Sequence, residues 1–129
     1  ISSYLNLDTL VANFSSPVLE FDTISLSSGI TLNLGIFTLL PNNIYNIQGT
    51  FSLEDIAEGN VEIALMSGGS QVGEMVTVIT SPSGTGVFHG IYDTYGKSGD
   101  NLNVSFNSEG DSISFLLKGK RSFVTITPI

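Results

Sequence analysis

Between Ile44 and Leu53 the chain alternates: Tyr45, Ile47, Phe51 and Leu53 are aromatic or branched apolar, whereas Asn46, Gln48, Thr50 and Ser52 carry amides and hydroxyls. A period of two marks an extended strand, because successive side chains there point to opposite faces. Residues 37 to 40 form the other arm of a pair that turns at Pro41-Asn42-Asn43. Further strand candidates follow at 18 to 26, 30 to 40 with a break near Gly35, 61 to 66, 71 to 80, 85 to 92, 101 to 107, 112 to 117 and 122 to 127. Clusters such as Ser67-Gly68-Gly69-Ser70, Ser81-Pro82-Ser83-Gly84 and Lys118-Gly119-Lys120 separate them, since glycine supplies positive φ at no steric cost. Only Leu53 to Gly59 has room for a helical turn. Short strands with regular turns predict an all-β sandwich or barrel.

The 129 residues suit one domain, which buries roughly two thirds of its unfolded surface and needs no staple. There is no cysteine, which excludes a disulfide scaffold and a thiolate metal site. Twelve acids against four bases give a net charge of −8, which repels phosphate backbones and anionic headgroups, so no nucleic-acid partner is expected. Three of the bases, Lys118, Lys120 and Arg121, share one turn, where a solvated loop is the simplest account. No apolar run approaches the ~20 residues of a membrane span, so no membrane insertion is expected. The start at Ile1 suggests a fragment or processed product. Residues 1 to 17, with mixed apolar and polar spacing, read as a stem or an arm on the surface, and 18 to 129 as the folded head.

Several strands are apolar on both sides. Met75 and Ile79 oppose Val76 and Val78; Phe88 and Tyr92 oppose Val87 and Ile91; Phe123 opposes Val124 and Ile126; Ile36 and Leu40 oppose Phe37 and Leu39. One side of each fills the core of a two-layer sandwich, and the other needs cover, because soluble monomers avoid large apolar patches. Self-association supplies that cover. Burial under the N-terminal arm and loops is the alternative.

Pro41-Asn42-Asn43-Ile44-Tyr45 resembles the Pro-x-x-Gly-x-Tyr segment of C1q/TNF-like jelly rolls, with Asn43 in place of the usual glycine. Val61 to Gly68 is similar to the following strand of that family, and Ser98-Gly99-Asp100-Asn101-Leu102-Asn103-Val104 to its Gly-Asp-x-Val/Leu-x-Val strand. Ser122 to Ile129 takes the place of the closing strand, reading Phe-Val-Thr-Ile-Thr where vertebrate members have Phe-Ser-Gly-Phe. The resemblance implies a ten-strand jelly roll forming a homotrimer, with apolar and aromatic residues around the threefold axis. Tyr45, Phe88 and Phe123 are the candidates for that interface. Such heads sit on stalks, and this one is similar in type to the vertex spike of a tailless, membrane-containing bacteriophage. The implied role is attachment to a host cell-surface receptor, protein or glycan, from the virion surface or another extracellular site. An upstream stalk would join it to other virion proteins.

Catalytic signatures are missing from the sequence: His89 is the single histidine, and there is no Gly-x-Ser-x-Gly elbow. No enzyme activity and no cofactor are expected. Asp93, Asp100, Asn101 and Asn103 offer the oxygens that calcium takes, but without the Asp-x-Asp spacing of a dedicated loop, so no metal is assigned. Tyr92, Asp93 and Tyr95 join aromatic rings to an acid beside a glycine-bearing loop, a reasonable receptor or sugar contact. A monomeric carbohydrate-binding sandwich is the competing function, in which Tyr92, Tyr95 or Phe88 forms a stacking platform; the lack of Trp counts against it.

Overall fold

The computed structural model describes residues 2–4, 8–11, 23–25, 30–96, 100–108 and 114–129. The strands among them are β1 (Ser2–Tyr4), β2 (Thr9–Val11), β3 (Thr23–Ser25), β4 (Thr31–Asn33), β5 (Ile36–Leu39), β6 (Ile44–Glu54), β7 (Asn60–Ser67), β8 (Ser70–Thr80), β9 (Gly84–Asp93), β10 (Asp100–Ser108), β11 (Phe115–Leu117) and β12 (Phe123–Pro128). All pair antiparallel, in two sheets. In the larger sheet β9 lies on one side of β6, and β12 and β11 share the other side in succession. β1 then pairs with β12, β2 with β11, and β3 with β1. The smaller sheet runs β4-β5-β10-β7-β8.

Alternation sets the core. Tyr45, Ile47, Phe51 and Leu53 of β6 turn inward, as do Val61, Ile63 and Leu65 of β7 and Leu102, Val104 and Phe106 of β10. Phe88, Phe115, Val124 and Ile126 close the layer from the larger sheet. Phe51 tilts against Phe88 with ring centroids 5.7 Å apart, and Phe106 meets Phe115 edge-on at 5.3 Å, within the 4.5–7 Å that favours aromatic pairs.

Two inward glycines let layers approach. Gly49 lies under the Phe88 ring, and Gly86 of β9 lies so close to β8 that a Cβ there would stand 2.4 Å from Thr77 Oγ1. β8 can therefore fold over the edge of β9, carrying the chain from one sheet to the other. The β7–β8 hairpin turns on Gly68 and Gly69, at φ 57° and 84°, the backbone that a two-residue hairpin demands.

One expectation needs correction. Leu53 to Gly59 does not form a helical turn: β6 continues through Glu54, after which Asp55 takes φ 55° and Gly59 φ 75°. Two strands lie on the N-terminal side of the expected boundary at residue 17. β1 and β2 are hydrogen-bonded members of the larger sheet, because β12 and β11 each present a second edge that must be paired. Apart from Asp8, the rest of 1 to 17, and most of the strand expected at 18 to 26, lie outside the described residues.

Candidate functional site

Registry fixes which loops share an end. Ser2 pairs with Thr125, Ile129 N–H donates to Ile44 O, and Ile44 pairs with Asp93. The N-terminal end of β1, the C-terminus, the Pro41–Asn43 turn and the segment after β9 therefore lie together. At the opposite end are the turns 55–59, 81–83 and 118–122.

Thr94 organises the first end. It is fully buried; its Oγ1 donates to Leu40 O at 2.7 Å and accepts from Asn43 N at 3.0 Å, while its N–H donates to Asn43 O. Tyr45 OH accepts the Leu40 N–H at 3.1 Å. Asp93 Oδ1 accepts Tyr95 N–H at 2.7 Å, closing an Asx turn that leaves the Tyr95 ring 60% exposed. Tyr92 does not join this display. It shares the inward face of β9 with Phe88, and its hydroxyl donates to Asp100 Oδ2. The expected trio is thus one exposed ring, one acid tied to its own loop, and one buried tyrosine that holds β9 to β10.

Asp100 also accepts from Ser67 Oγ at 3.0 Å and Asn101 N at 2.8 Å, so its carboxylate, one of the groups considered for calcium, already serves the protein. Among the described residues no three His, Asp or Glu side chains gather as a metal site. No helix of the described residues is long and apolar enough to cross a membrane.

The interface candidates separate. Tyr45 and Phe88 are buried within a single copy, pointing between the sheets. The reason is parity: their strands are apolar on both sides, and these two residues fall on the inner side. Phe123 faces outward and is half-buried. Three rows cross the outer face of the larger sheet: Val87-Thr50-Phe123, His89-Gln48-Thr125 and Ile91-Asn46-Thr127. Val87 is 53% exposed and Ile91 58%, with Ile44 beside them at 36%. The alternation pattern names Val87 and Ile91, but only the pairing shows that they share one face with Ile44 and Phe123, with Thr50, Gln48 and His89 among them.

The opposite end carries a clasp. Lys118 Nζ reaches Asp8 Oδ2 at 2.6 Å and Glu54 Oε2 at 3.7 Å, and Gly119 N–H donates to Asp8 Oδ1 at 2.9 Å. The hydrogen bond from Lys118, then that from Gly119, holds the Asp8 carboxyl below its ordinary range, and the Asp8 contact pushes the Lys118 ammonium up. Of the three clustered bases, Lys118 is therefore a fastener between the N-terminal segment and the β11–β12 turn.

The whole chain superposes on Eiger TNF from S. frugiperda with a TM-score of 0.68, covering 100% of this chain and 92% of that one at 12% identity. The fold is a TNF-like jelly roll. Murine APRIL at pH 8.5 gives a TM-score of 0.66 at 10% identity, covering 99% of this chain and 98% of that one. At pH 5.0 the same protein gives 0.56 at 9% identity, covering 91% of this chain and 97% of that one. No protein-family model and no curated protein matches the sequence. In this TNF-like jelly roll the similarity to those structures is one of fold.

Proposed function

We propose that this chain is the non-enzymatic head of a homotrimer that attaches a virion spike or fibre to a cell-surface receptor. The observation that carries the trimer is the outward patch of Val87, Ile91, Ile44 and Phe123 on a sheet whose other face is already filled by the core. Burying a side chain of the Val or Ile kind is worth ~1.5–3 kcal/mol, repeated in every copy around an axis. The described outer residues of β6, β9 and β12 include two carboxylates, Asp93 and Glu54, one near each end of the sheet, so its middle can be desolvated without stranding a carboxylate. The C1q/TNF resemblance supplies the threefold symmetry.

Geometry and composition support the attachment reading. Three identical heads on one axis turn weak contacts into avidity. Charged residues are 12% of the chain, about half the usual share, and the polar surface is hydroxyl and amide, as suits a particle surface. A stalk preceding β1 would leave from the end that holds Tyr95. Tyr95 and Asp93 are then contacts for a receptor that lies along the side of the head, with Tyr92 holding their loop in place.

The test is retention of fluorescently labelled head on a panel of bacterial and animal cells. Saturable retention on at least one cell type, displaced by unlabelled head and weakened by Tyr95→Ala, is expected. Retention on none, or retention that unlabelled head does not displace, contradicts the attachment role.

A further inference from the structure

The outer face of the smaller sheet holds a groove of about 440 Å³. Its floor is Ala64 and Met66, and its walls are Glu62, Gln71, Asn103, Ser105 and Asn107. Register explains the shape: Ser105 pairs with Ala64 in the middle of the groove, two small side chains between the longer pairs Asn103–Met66 and Asn107–Glu62. No hydrogen bond between described residues engages the side chains of Glu62, Asn103, Ser105 or Asn107, although Glu62, Asn103 and Ser105 are half-buried. A row of amide and hydroxyl groups is thus held in a concave surface with its donors and acceptors free.

We infer that this groove binds a neutral oligosaccharide. A primary amide offers a donor pair and an acceptor in one plane, which matches two adjacent sugar hydroxyls, and β10 presents two such amides on either side of a serine hydroxyl. The Ala64 methyl and the Met66 thioether give the apolar C–H face of a sugar ring something to pack on. Other ligand classes fit less well. β7 is paired on both sides, by β10 and by β8, so the strand that carries Ala64 and Met66 has no free main-chain edge to capture an extended peptide. An anionic ligand would meet the Glu62 carboxylate and no cation of the described residues, since Lys118, Lys120 and Arg121 belong to the turn between β11 and β12 of the other sheet. The inference deepens the attachment reading by naming the receptor's chemistry, and rests on that reading for its biological role.

The experiment titrates the full chain with a panel of neutral tetrasaccharides built on glucose, galactose and N-acetylglucosamine, and with a sialylated counterpart of each. Binding is read by amide chemical shifts. Shifts confined to β7, β8 and β10 from at least one neutral member are expected, with affinity lowered tenfold or more by Asn103→Ala combined with Asn107→Ala. Ser105→Met, which fills the groove while leaving every amide in place, is expected to abolish the same shifts. The inference is overturned if no neutral member perturbs these strands at millimolar concentration, if the sialylated form binds more tightly than its neutral counterpart, if the shifts fall on the Tyr95 loop, or if variants of native-like spectrum bind unchanged. The oligomer mass is independent of all these outcomes, so failure of the groove is distinguishable from failure of the trimer.

Discussion

Phe88 lies directly across from Gly49 on the neighbouring strand, and its ring covers the glycine so closely that a Cβ at 49 would stand 2.6 Å from a ring carbon. Phe51, on the same strand as Gly49, closes the other side at 2.9 Å. The glycine weakens β6 locally, and the aromatic ring from β9 restores the burial that a side chain would have provided. Gly49→Ala should therefore destabilise the fold by ~1–3 kcal/mol through overpacking, a loss measurable by urea unfolding. An unchanged midpoint would mean that the ring can rotate away without penalty.

The Thr94 hydroxyl ties the Leu40–Asn43 turn to the segment that carries Tyr95. Thr94→Val keeps the shape and removes the hydroxyl, leaving Leu40 O and Asn43 N without this partner. A loss of ~1–3 kcal/mol is expected. Hydrogen exchange should quicken at Asn43 and Tyr95 before it does in the centre of β6, and uniform exchange would argue against a local role.

The clasp at Asp8 predicts a pH dependence whose sign is fixed. Its carboxyl titrates below its ordinary value of 3.8 in the folded chain. Its contribution is therefore complete above that value and is lost as pH falls through the lowered native one. Thermal melts of the parent and Asp8→Asn should differ by a constant amount from neutral pH down to the ordinary carboxylate range, then converge under more acidic conditions. A difference that grows on acidification would contradict the clasp.

Deleting residues 1 to 11 removes β1 and β2 and strips β12 and β11 of the partner on the side away from β6. The truncated chain should melt lower by roughly 10 °C or more, or aggregate through its bared edges. A detachable stem would instead leave the melting point where it is.

These residues also show where sequence reasoning reached its limit. The strands between Thr31 and Pro128 follow from alternation and turn chemistry, because both are local. The N-terminal strands do not, since β1 and β2 are three residues each and owe their existence to edges supplied by β12 and β11. Period two identifies two faces without saying which is inner. On β9 both Phe88/Tyr92 and Val87/Ile91 were eligible, and the larger aromatic pair went to the core. Tyr92 meets Asp100 across a loop, and Asn103, Ser105 and Asn107 form a groove only against β7; neither relation is written in neighbouring residues. Asn103 and Ser105 were at least legible as outward polar positions of β10.

The central claim is that the outer face of the larger sheet is an interface between copies, and solution mass by light scattering tests it most directly. At tens of micromolar the parent chain should weigh three times 13.7 kDa, and a Val87→Asp, Ile91→Asp variant with unchanged circular dichroism should weigh 13.7 kDa. A parent chain of 13.7 kDa, or a variant that stays at three times that mass, would contradict the account.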